Sequence, residues 1–131
     1  MVIKRVRRIL PGCRKPPAIT RPRPPLPPVP RSLRSALKNH PDHLGRLQLA
    51  LQGVAVAPTT RLPRIDMAVM AIEDRLNRFL AEARDELDAA QRSGDPERLV
   101  SAASEEAFMA ALCRRNAWMG DEIFAAWFRN L

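Results

Sequence analysis

The chain has 131 residues, 46% of them apolar and 27% charged, with thirteen prolines, two cysteines and a formal net charge of +8. That length holds one ordinary domain rather than two. No stretch approaches the roughly 20 apolar residues that cross a bilayer. The two cysteines, Cys13 and Cys113, lie too far apart to read as a disulfide framework. An integral membrane protein and a disulfide-stapled secreted scaffold are both disfavoured, and a reducing cytoplasm is the expected compartment.

The averages hide a division. Residues 1–64 hold fourteen Lys or Arg against one acid, Asp42, a net of +13. Residues 65–131 hold eight basic and thirteen acidic residues, a net of −5. Twelve of the thirteen prolines lie at or before Pro63. Such asymmetry points to a polyanionic partner, or to an arm that folds back on its own acidic body.

In residues 1–10, Val2, Ile3, Val6, Ile9 and Leu10 alternate with Lys4, Arg5, Arg7 and Arg8 at helical spacing. Ten residues are too few for an independent helix in water, and the charges interrupt any signal-peptide core. Residues 11–31 are rich in Pro and Arg, which favours extended polyproline II. Too little apolar surface is present for this segment to fold alone. Residues 1–31 therefore read as a disordered, basic, proline-rich arm.

Residues 32–131 read as an all-α domain. Ser32 suits an N-cap for a short helix over 33–39, which Pro41 stops. Asp42 suits the cap of a second helix over 43–52, with Leu44, Leu47, Leu51 and Val54 as its stripe and Gly53 as its end. Pro63 then opens the longest helix, over 64–92. Ile65, Val69, Ile72, Leu76, Phe79, Ala83, Leu87 and Ala90 recur along it in a near-heptad seam. Asp74, Arg78 and Glu82, and Arg84 with Asp88, are spaced for ion pairs along its surface.

Ser93-Gly94 breaks that helix. Asp95-Pro96-Glu97 supplies the cap, first-turn proline and first-turn acid of a fourth, over 96–116. Its inward residues are expected to be Val100, Ala103, Ala107, Phe108, Ala111 and Leu112. So short a connection makes the third and fourth helices antiparallel, a long αα-hairpin with short flanking helices. Asp121 caps a last helix over 122–131. Its Phe124, Trp127 and Phe128 either close the open end of the hairpin or form a docking patch for a protein partner. The heptad seam can be satisfied within one chain or by a second copy, as a homodimer.

Candidate chemistry is sparse. His40-Pro41-Asp42-His43 offers two imidazoles and a carboxylate, fewer than the ligands zinc usually takes, and reads as a helix-capping turn. Cys113 beside Arg114 and Arg115 has cations that would lower its pKa, but no base stands near it in sequence, and it reads as a semi-buried helix residue. Glu73-Asp74 and Glu105-Glu106 are sequence neighbours that diverge on a helix. The five glycines are scattered and form no phosphate loop. No cofactor, metal or catalytic residue is expected.

The arm is the strongest signal. Arg5, Arg7, Arg8, Lys15, Arg21 and Arg23 suit contact with phosphates, and the absence of any aromatic before Phe79 leaves no stacking platform for bases. A solubilising tail, or a reading frame begun too early in GC-rich DNA, would produce the same composition. Arg21–Arg31, RPRPPLPPVPR, resembles the Arg-Pro repeats of proline-rich antimicrobial peptides, which act on ribosomes and chaperones inside bacteria. It also contains the PxxP pattern that SH3-type grooves read.

Three readings follow. The first is a non-enzymatic interaction or regulatory protein, whose helical domain binds a protein partner or itself while the arm tethers it electrostatically. The second is a nucleic-acid-associated protein that contacts phosphates through the arm. The third is a small enzyme or toxin built on Cys113 or the histidines. A helical domain can host any of them.

Overall fold

The computed structural model describes residues 26–58, 61–114 and 117–131. The described chain forms α1 (Arg31–Ala36), α2 (Pro41–Val56), α3 (Arg64–Ser93), α4 (Pro96–Arg114), a 3-10 turn at Ala117–Gly120 and α5 (Glu122–Arg129). Among the described residues there is no strand. The all-α hairpin architecture is the one its helix periods and breaks predict.

α3 is the axis of the molecule, about 45 Å long at 1.5 Å per residue. Both α2 and α4 pack along it, and α5 also touches it. Ala68, Ile72, Leu76, Phe79, Ala83 and Ala90 are its buried residues. Most of the seam read from the sequence is thus covered within the chain, while Ile65, Val69 and Leu87 are half-buried. Gly94 ends α3 in the left-handed region, at φ 73°, where a Cβ would be strained. Asp95 then accepts from the amides of Glu97 and Arg98 at 3.1 and 3.3 Å. That cap reverses the chain into α4 as the Asp-Pro-Glu triplet predicts.

The short helices depart from expectation. α1 begins at Arg31, and Ser32 lies inside it, exposed, rather than at its cap. Pro30 occupies the N-cap position and makes no side-chain cap bond. The first free amide, that of Arg31, donates instead to Asp121 Oδ2 at 2.7 Å, from ninety residues away. α1 ends at Ala36, three residues earlier than expected.

α2 begins at Pro41, a first-turn proline, so Asp42 is its first-turn acid and His40 occupies the cap position. It runs through Gly53 to Val56. Glycine weakens a helix without forbidding it, and burial of Val54 beyond Gly53 carries the helix onward. The stop comes at Ala57, extended at ψ 152°, where Pro58 disfavours α geometry for the preceding residue.

The boundary of the arm also moves. Pro27, Val29 and Pro30 are buried. Gln48 Nε2 on α2 donates to the Pro27 carbonyl at 2.7 Å, and Arg34 Nε donates to that of Val29 at 3.1 Å. Residues 27–31 therefore pack with the helical body, although their composition matches the arm.

α4 has a different phase from the one expected. Ala102, Met109 and Leu112 are buried. Val100 is 71% exposed, Ala103 and Ala107 are exposed, and Phe108 and Ala111 are half-buried. Alanines lie on several faces of α4, so its apolar pattern has no unique direction. The bulk of Met109 against α3 selects one.

The ion pairs link helices rather than run along them. Arg46 of α2 grips both oxygens of Glu82 of α3 at 2.7 Å. Arg84 pairs with Glu106 at 3.3 Å and Arg98 with Glu86 at 2.8 Å, joining α3 to α4. Such exposed pairs are screened by solvent, so they orient the helices more than they stabilise them.

Candidate functional site

The two histidines meet at the junction of α2 with the hairpin. His40, at the cap of α2, places Nε2 at 3.1 and 3.0 Å from the two oxygens of Glu105 on α4. Its ring stacks on Phe108, one turn further along α4, with centroids 5.1 Å apart and planes at 11°. The Glu105 carboxylate faces Nε2 and calls for a proton there. His40 Nδ1 is buried and has no hydrogen-bond partner.

His43, in the first turn of α2, lies 5.3 Å from the His40 ring and 4.2 Å from that of Phe79. Burial pushes its pKa below the ordinary value, and the nearby His40 and Arg46 push the same way. The Arg46 guanidinium sits 4.6 Å from the Phe79 ring centroid while it grips Glu82.

The cluster is thus His40, His43 and Arg46 from α2 and its cap, Glu82 and Phe79 from α3, and Glu105 and Phe108 from α4. A general base must offer a nitrogen to the proton it abstracts. His40 has one nitrogen held by Glu105 and the other buried without a partner, so the pair works as a structural clasp. No group of three or more His, Cys, Asp or Glu among the described residues is placed to hold a metal.

Glu105 and Phe108 were not legible as partners of His40, from which Glu105 is separated by 65 positions. The available signal was paired spacing: His40 with His43, and Glu105 with Phe108, each three apart and therefore on one side of a turn.

Cys113 is the semi-buried helix residue that the sequence suggests. The half-buried thiol donates to the Leu76 carbonyl at 3.2 Å. Burial raises its pKa, and the opposing cations Arg84 and Arg114 do not overcome that effect. A nucleophilic thiol needs the opposite shift.

The C-terminal aromatic residues divide. Phe124 and Phe128 are 1% and 2% exposed and close the open end of the hairpin, so they present no surface to a partner. Trp118 packs edge-on against Phe124 at 6.4 Å. Trp127 is half-buried, 4.9 Å from Phe128, and remains at the margin. Asp121 caps this helix, accepting from Phe124 N at 3.0 Å as well as from Arg31 N. One carboxylate thus serves the first turns of both α1 and α5, and these amide bonds hold its pKa below the ordinary carboxylate value. Replacing Asp121 with alanine is expected to cost about 1–2 kcal/mol, the upper part of the range for a cap. Urea denaturation of the full chain measures it, and Asp121→Asn should recover part of the loss.

One surface was missed by reading α2 as ending at Gln52. Gly45, Leu49, Gly53 and Val56 are all exposed along its outer side, with Leu49 at 68% and Val56 at 82%. From Leu47 to Ala57 the chain carries no charge. A helix on the surface of a monomer ordinarily turns a charged or polar face to water.

Arg5, Arg7, Arg8, Lys15, Arg21 and Arg23 lie outside the described residues. Among the described residues, no helix is long and apolar enough to cross a membrane. Comparison of the chain with protein-family models, with curated proteins and with solved structures finds no match.

Proposed function

We propose that this is a non-enzymatic interaction or regulatory protein whose helical domain binds a protein partner or a second copy of itself, with the basic arm as an electrostatic tether in the cytoplasm. The observation that carries this reading is the uncharged outer side of α2 beyond Arg46. Leu49 and Val56 stand in water there, and Gly45 and Gly53 flank Leu49 with nothing within 4 Å of where a Cβ would sit. Exposed apolar surface of this kind marks interaction sites on soluble proteins, and the two glycines let an incoming backbone approach closely. The clasped His40 and the raised pKa of Cys113 support the non-enzymatic part of the reading.

The test places a photoreactive amino acid at position 49, and in a second variant at position 56, of the full chain in its native cells. Discrete adducts are expected at both positions, at twice the chain mass if the partner is a second copy. Glu97, exposed at the far end of the hairpin, is the control position. Adducts no stronger at 49 and 56 than at 97 would sink the reading.

A second reading, a nucleic-acid-associated protein, draws on the charge division. Residues 1–25 hold eight Lys or Arg and no acid, and such a run needs only phosphates as partners.

A further inference from the structure

We propose that His40, His43 and Glu105 form a proton-operated latch, which holds the first turn of α2 on the hairpin near neutral pH and releases it on mild acidification. Both histidines of the chain fall in this one layer, between the rings of Phe79 and Phe108. The charged groups facing them are Arg46 from α2, Glu82 from α3 and Glu105 from α4. Arg46 and Glu82 already satisfy each other through two hydrogen bonds. That leaves one carboxylate, Glu105, for two imidazoles.

His40 holds that carboxylate, with Glu105 opposite Nε2 at 3.0 Å. A proton on His43 would have no carboxylate of its own. It would set a second cation beside Arg46, whose own partner is Glu82. Both rings sit at the N-terminal end of α2, where the backbone amides make the helix electropositive and disfavour further positive charge.

Relief is available locally. The first turn of α2 can loosen while Leu37 before it and Leu47, Leu51 and Val54 after it stay in the core. An open groove of about 590 Å³ lined by Glu86, Arg98, Ser101, Ser104 and Glu105 gives water, and hence protons, a route to the carboxylate side of the latch.

The sign follows from His43. Its pKa is lowered in the folded chain, so its contribution is complete above about 6.5, the ordinary histidine value. That contribution is lost as the pH falls through the lowered folded value. The latch is therefore closed at neutral pH and opens as the pH falls below the ordinary histidine value.

Hydrogen exchange of the full chain tests this, with rates corrected for the intrinsic pH dependence of amide exchange. Protection over residues 41–47 should fall by up to roughly tenfold per pH unit as the proton-coupled opening takes over, while the middle of α3 keeps its protection. In His43→Gln, which cannot take that proton, protection over 41–47 should be independent of pH. Equal corrected protection at pH 7.5 and 5.5 in the wild type, or the same loss in His43→Gln, would overturn the proposal. Should His43→Gln fail to fold, imidazole NMR of the wild type decides: one histidine titrating well below 6.5 together with loss of the α2 first-turn signals supports the latch, and two ordinary titrations without signal loss overturn it.

Discussion

Replacing Phe79 with alanine is expected to remove about 3–5 kcal/mol of stability, the usual range for a buried phenylalanine. Phe79 is 1% exposed and lies at the midpoint of α3, where α2 and the hairpin meet. Its loss leaves a cavity in the core and withdraws the ring that His43 packs on at 4.2 Å and that Arg46 covers at 4.6 Å. Small domains have only about 5–15 kcal/mol in total, so the variant should be largely unfolded near 37 °C. Phe79→Leu keeps most of the volume and should lose far less. Denaturation curves followed by the fluorescence of Trp118 and Trp127 measure both. A loss below 1 kcal/mol for the alanine variant would mean that α2 and α3 do not enclose this ring.

The second large effect concerns the arm. The full chain is expected to bind a labelled duplex and a labelled single strand, and to lose affinity by about 10³-fold between 50 and 200 mM salt. This is the behaviour of a protein that releases counterions from six or more phosphates. Eight cations precede Leu26 without an acid, enough for such a number. The comparison chain should begin at Leu26, because Pro27, Val29 and Pro30 are buried in the body and cutting at Ser32 would damage the fold. Anisotropy with this shorter chain should show no binding. If it binds as well as the full chain, the arm is not the polyanion contact. If neither binds at low salt, the nucleic-acid reading falls and the α2 face remains the leading surface.

The salt dependence of the arm and the cross-linking at positions 49 and 56 separate functions that composition leaves mixed. A tether to a polyanion and a docking face on a helix are compatible in one chain. They lie in different segments and respond to different substitutions: arm truncation should leave the adducts at positions 49 and 56 in place, and changes at Leu49 should leave the salt dependence unchanged.

What the sequence determined by itself was the hairpin. The α3 seam repeats over thirty residues, and Ser93-Gly94-Asp95-Pro96 carries the stop, the left-handed turn, the cap and the restart in four consecutive positions. All of that physics is local, so it could be read without a fold. The same holds for Asp121 as the cap of α5.

Tertiary structure decided the features in which local rules are weak or silent. Gly53 reads as a helix stop, yet packing of Val54 carries α2 past it and creates the uncharged face. Alanines on several sides of α4 give no phase until Met109 packs on α3. Phe124 and Phe128 could serve a partner or the core, and the open end of the hairpin takes them. Residues 27–31 have the composition of the arm, but Gln48 and Asp121 bind their backbone from far along the chain. His40 meets Glu105 only because α2 and α4 flank the same stretch of α3, and no periodicity within either segment encodes that contact. Helix periods and caps are properties of neighbouring residues, whereas burial and charge pairing belong to surfaces that exist only once the helices are assembled.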